Sequence, residues 1–506
     1  MSRSYWKYVS VLVCLMVSMP MVRAEVTLPS VLADHMVIQR DRPVHVWGSA
    51  DPGEQVTVTF RGHQGTSIAN DLGRWSLYLP PVDAGGPFTL TIQGKNTITF
   101  TDVLVGDLWV ASGQSNMQFP MMKTDWTRGI QNTQQEIDAA NFPKLRLFHV
   151  ENTFSDYPML DVAAKTWTAC TSQSVGDFSG VAYFFGRELL EKEKVPIGLI
   201  EADWGGSPAE AWVSLNALSS NSSLMPVFSA RAHRMQLESM ALLEDKSEKM
   251  QQEDAAKAGK PPIKFPWHPE KNSWAPAGLF NGMIAPLTPL PIRGVIWYQG
   301  ESNADAERAP IYSVLFPTLI QDWRKQWAQG NFPFLFVQLP NFTTKNDWPT
   351  VREAQRETLD LTNTGMAVTI DIGEATNVHP RDKKDVGHRL ALWARVLSYG
   401  EQVQDSGPLF RQAVPEGNQM RVWFDHAESG VMARGGELRG FEVAGADGKF
   451  MPATAKVDTK ANRSTVLVSS AAVAAPLYVR YGWAADPQCN LYNADGLPAS
   501  PFRSQQ

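Results

Sequence analysis

The sequence has little charge of either sign and no long run of lysine or arginine. Charged residues make up 19% of its 506 residues, and the formal net charge is -6. A chain of this kind offers no strongly positive surface to nucleic acid or to an anionic membrane. No segment beyond the N-terminus is long and apolar enough to span a bilayer. These absences argue against nucleic-acid and integral-membrane proteins and favour a neutral or mildly polar ligand.

The N-terminal segment 1–24 is the one markedly apolar stretch. Arg3 and Lys7 precede its apolar part, which ends in small residues at Ala24. This pattern is typical of a secretory signal peptide cut after Ala24, so we expect a secreted or periplasmic protein. The stretch is shorter than the ~20 residues of a transmembrane anchor and contains Pro20, which makes an anchor the weaker interpretation.

Cysteine is also scarce, with three residues in the whole chain. Cys14 would leave with the signal peptide, so the mature chain keeps Cys170 and Cys489. Export permits a disulfide between these two cysteines, but two separate thiols are equally consistent with the sequence.

Three regions with different patterns follow the signal segment. Alternating apolar and polar residues predict a β-sandwich over residues 25–101. Short apolar strands then alternate with helical segments over residues 102–404, which predicts an α/β domain with a mostly parallel sheet. A helical insertion is expected at about residues 214–269. Alternation returns over residues 405–506 and predicts a further β-rich region, which either stands alone or completes the first sandwich.

Ser115 is the first candidate for chemistry. It lies in the motif Gly113-Gln114-Ser115-Asn116-Met117, directly after a predicted strand. The carboxyl ends of parallel strands form the ligand crevice of α/β folds, so a serine in this turn is well placed to act as a nucleophile. The motif differs from the Gly-x-Ser-x-Gly turn of α/β-hydrolases because Met117 replaces the second glycine. Alone, it is also compatible with an ordinary turn.

Two further loops offer hydrogen-bond donors after predicted strands. Gly205 and Gly206 can present bare backbone N–H groups to an oxyanion, although the same segment can simply begin a helix capped by Ser207. Asn303 offers a side-chain amide, although asparagine is common in turns.

His379 is the candidate base in a fourth loop. It follows a predicted strand and lies beside glycine and acidic residues, whereas His388 has the spacing of a structural residue in a helix. All four loops lie at the carboxyl ends of predicted parallel strands, where they can meet. This convergence predicts an acyl-transfer site.

The residues that carry these features also carry a family resemblance over nearly the whole mature chain. The sequence resembles the sialate O-acetylesterase family, a carbohydrate-esterase branch of the SGNH hydrolases. The matching segments are Asp34-His35-Met36-Val37, Val46-Trp47-Gly48, the Ser115 motif, residues 204–212, residues 281–287, residues 297–303, His379-Pro380, Asn490-Leu491-Tyr492-Asn493 and Gly496-Leu497-Pro498.

The resemblance implies a flavodoxin-like SGNH domain combined with β-sandwich or jelly-roll elements, and a site without metal or organic cofactor. It also implies that Ser115 is the nucleophile and that His379 is the base. The backbone of Ser115, the backbone of Gly206 (less so Gly205) and the amide of Asn303 would form the oxyanion hole. The implied substrate is an acetylated carbohydrate.

One position departs from the family pattern. SGNH enzymes commonly place aspartate three residues before the histidine, and here Thr376 occupies that position. Either a carboxylate from elsewhere orients the imidazole, or a backbone carbonyl near Asn377 does so and the site works as a Ser-His dyad. We favour the dyad, because a carbonyl can fix the tautomer without adding charge. The candidate carboxylates are Asp371, Glu374 and Asp385.

Six residues near these motifs are candidates for contacting the sugar. Their alternative role is to support the residues that do so. They are Trp204, Trp212, Gln299, Glu301, Arg352 and Gln355.

Three functions are compatible with these residues. The first is a sialate O-acetylesterase-like carbohydrate esterase that works through an acyl-enzyme. The second is an acetylesterase acting on plant hemicellulose such as xylan or xyloglucan. The third, a non-catalytic carbohydrate-binding protein, is disfavoured because all four loops keep chemically competent residues. The sequence does not indicate the oligomeric state.

Overall fold

A computed structural model describes residues 25–263, 265, 272–459 and 464–504, with the backbone alone for residues 230–244. The predicted signal segment 1–24 lies outside the described residues. The chain forms a mixed α/β structure with one large mixed sheet and several separate β-sheets.

Strands and helices alternate along the middle of the chain, and strands predominate towards both ends. In chain order, the strands are β1 (Val37–Gln39), β2 (Val44–Ser49), β3 (Gln55–Phe60), β4 (His63–Ile68), β5 (Arg74–Leu79), β6 (Gly85–Gln93), β7 (Thr97–Gly113), β8 (Asn141–His149), β9 (Thr168–Thr171), β10 (Ile197–Asp203), β11 (Gly294–Tyr298), β12 (Phe334–Val337), β13 (Thr364–Ala367), β14 (Leu409–Glu416), β15 (Gln419–Asp425), β16 (Val431–Ala433), β17 (Phe441–Ala444), β18 (Met451–Pro452), β19 (Thr454–Val457), β20 (Thr465–Ser469), β21 (Tyr478–Tyr481), β22 (Leu491–Asn493) and β23 (Phe502–Arg503). The helices are α1 (Ser115–Gln118), α2 (Thr133–Asp138), α3 (Gly180–Glu193), α4 (Leu215–Ser219), α5 (Pro226–Lys257), α6 (Tyr312–Trp327), α7 (Trp348–Glu357) and α8 (Lys383–Tyr399).

Strand β7 belongs to two layers at once. Its first part pairs antiparallel with β6, which in turn pairs with β3 of the N-terminal β region. Its second part pairs in parallel with β10 on one side and β11 on the other. The predicted boundary between residues 101 and 102 therefore falls inside one continuous strand. The N-terminal strands and the α/β layer share a single hydrophobic core.

The parallel part of the large sheet has the strand order β13-β12-β11-β7-β10-β8, and β9 pairs antiparallel at the edge. Trp109 of β7 packs edge-on against Phe185 of α3, with ring centroids 5.0 Å apart. Trp297 of β11 packs against Trp323 of α6 at 5.8 Å. Because Trp297 pairs with Ser112, its side chain points to the opposite face from Trp109. Helices thus cover both faces, and β7 lies near the middle of the sheet.

The C-terminal β region has a hydrophobic core of its own. Four strands pair in the order β14-β15-β20-β19, and four more in the order β18-β17-β21-β23. Their inward side chains form a second buried cluster, which includes Val422, Phe441 and Phe502. Between the described strands of this region and those of the N-terminal region there is no pairing.

The predicted helical insertion contains α5, a helix of 32 residues. Residues 264 and 266–269 of that prediction lie outside the described residues. None of the helices in the described ranges is both long and apolar enough to cross a membrane. Cys170 and Cys489 are free thiols, and burial raises the pKa of the first to about 12 and that of the second to about 11.

Candidate active site

Ser115 lies where β7 ends and α1 begins, at the carboxyl edge of the parallel sheet. Gly113 makes the turn possible, with φ of +139°. A Cβ atom at this position would lie 2.2 Å from the carbonyl oxygen of Tyr298 on the neighbouring strand, so only glycine fits. Ser115 is partly exposed, whereas its two neighbours Gln114 and Asn116 are buried. The turn therefore leaves the Ser115 hydroxyl accessible.

The loop that follows β13 brings His379 to Ser115. Its Nε2 lies 2.8 Å from Oγ of Ser115, although the two residues are 264 positions apart in sequence. The backbone N–H of His379 donates to Oδ1 of Asn377 at 3.0 Å, which fixes the peptide that carries the imidazole. The ring lies edge-on to Trp126, with centroids 5.4 Å apart. A serine hydroxyl and an imidazole at this distance can exchange a proton.

The two glycines of the second loop differ in what their N–H groups do. Gly205 donates to Oε1 of Gln118 at 3.0 Å. Gly206 has φ of +74°, and its N–H has no partner among the residues that the structure describes. Its carbonyl oxygen accepts a hydrogen bond from Ser302 Oγ at 2.8 Å. Gly206 rather than Gly205 therefore has an N–H free to bind an oxyanion.

Asn303 is fully buried, and its amide has a defined orientation. Oδ1 accepts from the N–H of Ala209 at 2.9 Å and from Nε2 of Gln299 at 2.7 Å. Nδ2 donates one proton to Glu210 at 2.8 Å. An amide nitrogen carries two protons, so a second N–H remains for another acceptor.

Two of the three candidate carboxylates pair with arginines, and no described carboxylate lies within 4.0 Å of the ring nitrogens of His379. Asp371 pairs with both terminal nitrogens of Arg389, at 2.6 Å and 2.9 Å. Glu374 pairs with Arg128 and accepts from the N–H of Arg381. Asp385 lies in the first turn of α8, where its N–H donates to the capping residue of that helix. Within the described residues, Nδ1 of His379 has no hydrogen-bond partner, so the backbone carbonyl near Asn377 that was expected to bind the ring does not do so.

The surroundings of His379 favour its neutral form. Burial lowers its pKa to about 4, and the positive charge of Lys383 acts in the same direction. A neutral imidazole can accept a proton at Nε2, which is what a general base requires.

Most of the six candidate sugar contacts are buried. Trp212, Gln299, Arg352 and Gln355 are fully buried, and Trp204 is 7% exposed. The Gln299 amide donates to Asn303 and accepts from Tyr312, and Gln355 binds backbone groups. Arg352 donates to four backbone carbonyls, two of them in the C-terminal region at residues 484 and 485. These side chains are therefore buried beneath the surface of the site, where their hydrogen bonds hold its loops in place.

Glu301, the sixth candidate, binds the nucleophile loop. Its Oε1 accepts from Nδ2 of Asn116 at 2.5 Å, and its Oε2 is buried without a partner among the described residues. Burial raises the pKa of this carboxyl.

Several residues of the site were missed by sequence reasoning. Gln114 accepts from the N–H of Ser302 at 3.2 Å, which joins the first and third loops. Asn116 donates to the carbonyl of Val378 at 2.9 Å, which joins the first and fourth. The sequence feature that could have identified Gln114 and Asn116 is their position directly before and after Ser115. Trp126, which is 47% exposed beside His379, lies in a polar stretch that gave no periodic signal.

No group of three or more His, Cys, Asp or Glu side chains within the described ranges is arranged to hold a metal ion. Ser115 and His379 meet at this edge of the sheet, and hydrogen bonds of Gln118 to Gly205 and of Gln114 to Ser302 bring the second and third loops to the Ser115 segment.

Comparison with known proteins identifies the family. Residues 266–394 match the family described as carbohydrate esterase, sialic acid-specific acetylesterase. The sialate O-acetylesterase of Mus musculus is 31% identical, over 94% of this chain and 94% of that protein. The Homo sapiens protein is 30% identical, over 94% and 91%. The crystal structure of a carbohydrate acetylesterase from Xanthomonas citri superimposes with a TM-score of 0.81 and 38% identity, covering 95% of this chain and 100% of that one. This chain belongs to the sialate O-acetylesterase family of carbohydrate esterases.

Proposed function

We propose that this protein hydrolyses acetyl esters on carbohydrates through an acetyl-enzyme formed on Ser115. The observation that carries the proposal is the 2.8 Å contact between Ser115 Oγ and His379 Nε2 at the carboxyl edge of the sheet. Family membership supplies the reaction class, and this contact supplies a nucleophile with its base.

The reaction has two balanced steps. In the first, Ser115 Oγ forms a bond to the acetyl carbon while its proton moves to Nε2 of His379. The bond from that carbon to the sugar oxygen then breaks, and His379 returns the proton to the sugar hydroxyl. In the second, a water molecule attacks the acetyl carbon and gives its proton to His379, which passes it to Ser115 Oγ as acetate leaves.

The negative charge that develops on the acetyl oxygen needs donors held in place beforehand. We assign this role to the N–H groups of Ser115 and Gly206 and to the second N–H of Asn303. The hydrogen bonds of Asn303 to Ala209 and Glu210 support the assignment, because they fix the amide before substrate arrives.

A Ser-His dyad fits the base side better than a triad. Asp371 and Glu374 are engaged by arginines, and Nδ1 of His379 has no carboxylate near it among the described residues. The side chain of Asn377 accepts a hydrogen bond from the backbone N–H of His379 and does not bind its ring. The packing of Trp126 and Phe119 against the imidazole, at 5.4 Å and 6.4 Å, supports its orientation.

A neutral acetylated sugar of plant hemicellulose is the second candidate for the substrate, beside an acetylated sialic acid. The exposed ring of Trp126 beside His379 favours it, because sugar rings stack on exposed aromatic faces. A sialic acid would need a cation for its carboxylate. Arg381 is engaged by the carbonyls of Gly129 and Ile130. Arg128 pairs with Glu374 but is 59% exposed, so it is the arginine of this region that could meet such a carboxylate.

Acetate release separates these possibilities. We expect release from p-nitrophenyl acetate by the wild-type protein and its loss in Ser115→Ala. Ser112→Ala is the matched control, since this neighbouring hydroxyl is buried and unpartnered within the described structure. Normal release by a folded Ser115→Ala protein would disprove the mechanism, and no release by the wild type would favour a non-catalytic binding protein. A panel of acetylated sialosides, xylan and xyloglucan fragments then identifies the sugar.

Two finer features belong to the same proposal. The parallel sheet with helices on both faces supports a flavodoxin-like SGNH arrangement with accessory β-sandwich or jelly-roll regions. The composition of residues 1–24 supports export to the periplasm or the medium.

A further inference from the structure

Lys383 is a fully buried lysine close to the candidate site. It occupies the first position of α8, four residues after His379, and none of its side-chain surface is exposed. Its Nζ donates to Oδ1 of Asn116 at 2.6 Å and lies over the rings of Phe119 at 4.6 Å and Tyr298 at 5.3 Å. Buried ammonium groups are costly, and a cation at a helix N-terminus is opposed by the helix dipole. Fold stability alone therefore does not explain a lysine here.

The Asn116 amide connects Lys383 to both reacting residues. Asn116 directly follows Ser115, and its Nδ2 donates to the carbonyl of Val378, the residue before His379, and to Glu301. An ammonium group can only donate hydrogen bonds, so Lys383 forces the oxygen of the amide towards itself and the nitrogen towards Val378. Without that constraint the Asn116 amide could rotate by about 180°, and the carbonyl of Val378 would lose its hydrogen-bond donor.

We propose that Lys383 is a positioning residue for the esterase reaction, which fixes Ser115 and His379 through Asn116 and uses its buried positive charge to keep the imidazole neutral. This inference rests on the proposed roles of Ser115 and His379. The same charge opposes the imidazolium that forms during the reaction. The oxyanion that forms at the same moment offsets that cost.

The other charged groups near Lys383 do not cancel its effect. Glu301 faces it through Asn116 from the loop after β11, Asp382 caps its own helix, and Glu374 lies in the His379 loop, paired with Arg128. Burial lowers the pKa of Lys383 to about 7, against the raising effect of these three carboxylates. The positive charge is thus present below pH 7, the range in which an ordinary imidazole would become protonated.

The test is the pH dependence of kcat/KM, whose acid limb reports the pKa of the base in the free enzyme. The variants are Lys383→Met, which removes donor and charge, and Lys383→Gln, which keeps a donor. Lys384→Met is the matched control, because Lys384 is exposed and pairs with Glu136 on the surface.

We expect the acid limb to move to higher pH by about one unit in both Lys383 variants, because a nearby positive charge no longer opposes protonation of His379. Lys383→Met should also lower kcat by about 10 to 100-fold with little change in KM, and Lys383→Gln should recover part of that loss. The control should match the wild type. A purely structural lysine would change kcat or the melting temperature but would leave the acid limb in place.

An unchanged acid limb in either folded variant would overturn the proposal. If neither variant folds, the wild-type profile decides, because an acid limb near the ordinary histidine value of about 6.5 would contradict a base kept neutral by its surroundings. Retained activity in Ser115→Ala would instead refute the proposed function itself. The two failures are therefore distinguishable.

Discussion

The loops on the nucleophile side of the candidate site and the imidazole ring on its base side are held by different kinds of contact. On the nucleophile side, side-chain hydrogen bonds join neighbouring loops, as Gln118 does with Gly205 and Gln114 with Ser302. On the base side, the ring of His379 contacts Ser115 and packs against aromatic rings, and no described group binds Nδ1. Turnover should therefore depend strongly on hydrogen-bond donors around the oxyanion and little on carboxylates around the base.

The largest expected effect tests whether the two sides act as one unit. Ser115→Ala and His379→Ala should each lower kcat by about 10⁴-fold or more, and the double variant should be no slower than the slower single variant. The reason is that the base has no role once its nucleophile is absent. Single-turnover rates on p-nitrophenyl acetate measure this. Multiplicative losses in the double variant would show that His379 acts on something other than Ser115.

The second prediction concerns the oxyanion donors. Asn303→Ala should lower kcat by about 10² to 10³-fold while KM changes little, because the second N–H of this amide is used only when negative charge develops. Asn346→Ala, at an exposed asparagine in a surface loop, is the matched control. A loss expressed mainly in KM would mean that Asn303 binds the substrate in its ground state instead.

The two sides of the site also differ in how far the sequence predicts them. The turn at Ser115 is predictable because its signal is local, namely an apolar strand that ends in glycine just before the serine. The contacts of Asn116 with Val378 and Lys383 span more than 260 residues, so no local pattern contains them. The surroundings of the His379 ring are not predictable for the same reason. Asp371 and Glu374 lie near it in sequence but pair with Arg389 and Arg128.

The continuous strand β7 is another feature that the alternation of apolar and polar residues did not predict. Asp102 lies inside this strand, at the predicted boundary between residues 101 and 102. In the structure Asp102 stays within the strand because it pairs with both terminal nitrogens of Arg146, at 2.7 Å and 2.9 Å. A polar residue inside a strand is accommodated when a distant partner neutralises it, and that partner is not visible in a local window.

The third prediction separates stability from turnover at Asp371. Asp371→Ala should destabilise the fold by about 3 kcal/mol, since it leaves Arg389 buried without its ion-pair partner. At 25 °C the folded fraction should keep kcat within about threefold, because a residue without contact to the reacting atoms changes the transition state little. Urea midpoints and kcat on the same samples measure the two effects. A loss above 100-fold in kcat with the fold intact would make Asp371 the missing triad member.

The smallest expected effects on kcat are those of changes at Glu374 and Asp385. They test whether the base side of the site needs a carboxylate. Glu374→Gln gives up a partly exposed ion pair with Arg128, a kind of contact worth about 0 to 1 kcal/mol. Asp385→Asn keeps the shape of the side chain at the start of α8 and removes only its charge. We expect kcat within about twofold of wild type for both variants, because neither carboxylate contacts His379. The acid limb of kcat/KM should also stay in place, in contrast to the Lys383 variants. A severe loss at either position would show that the imidazole relies on a carboxylate after all, and the dyad would have to be replaced by a triad.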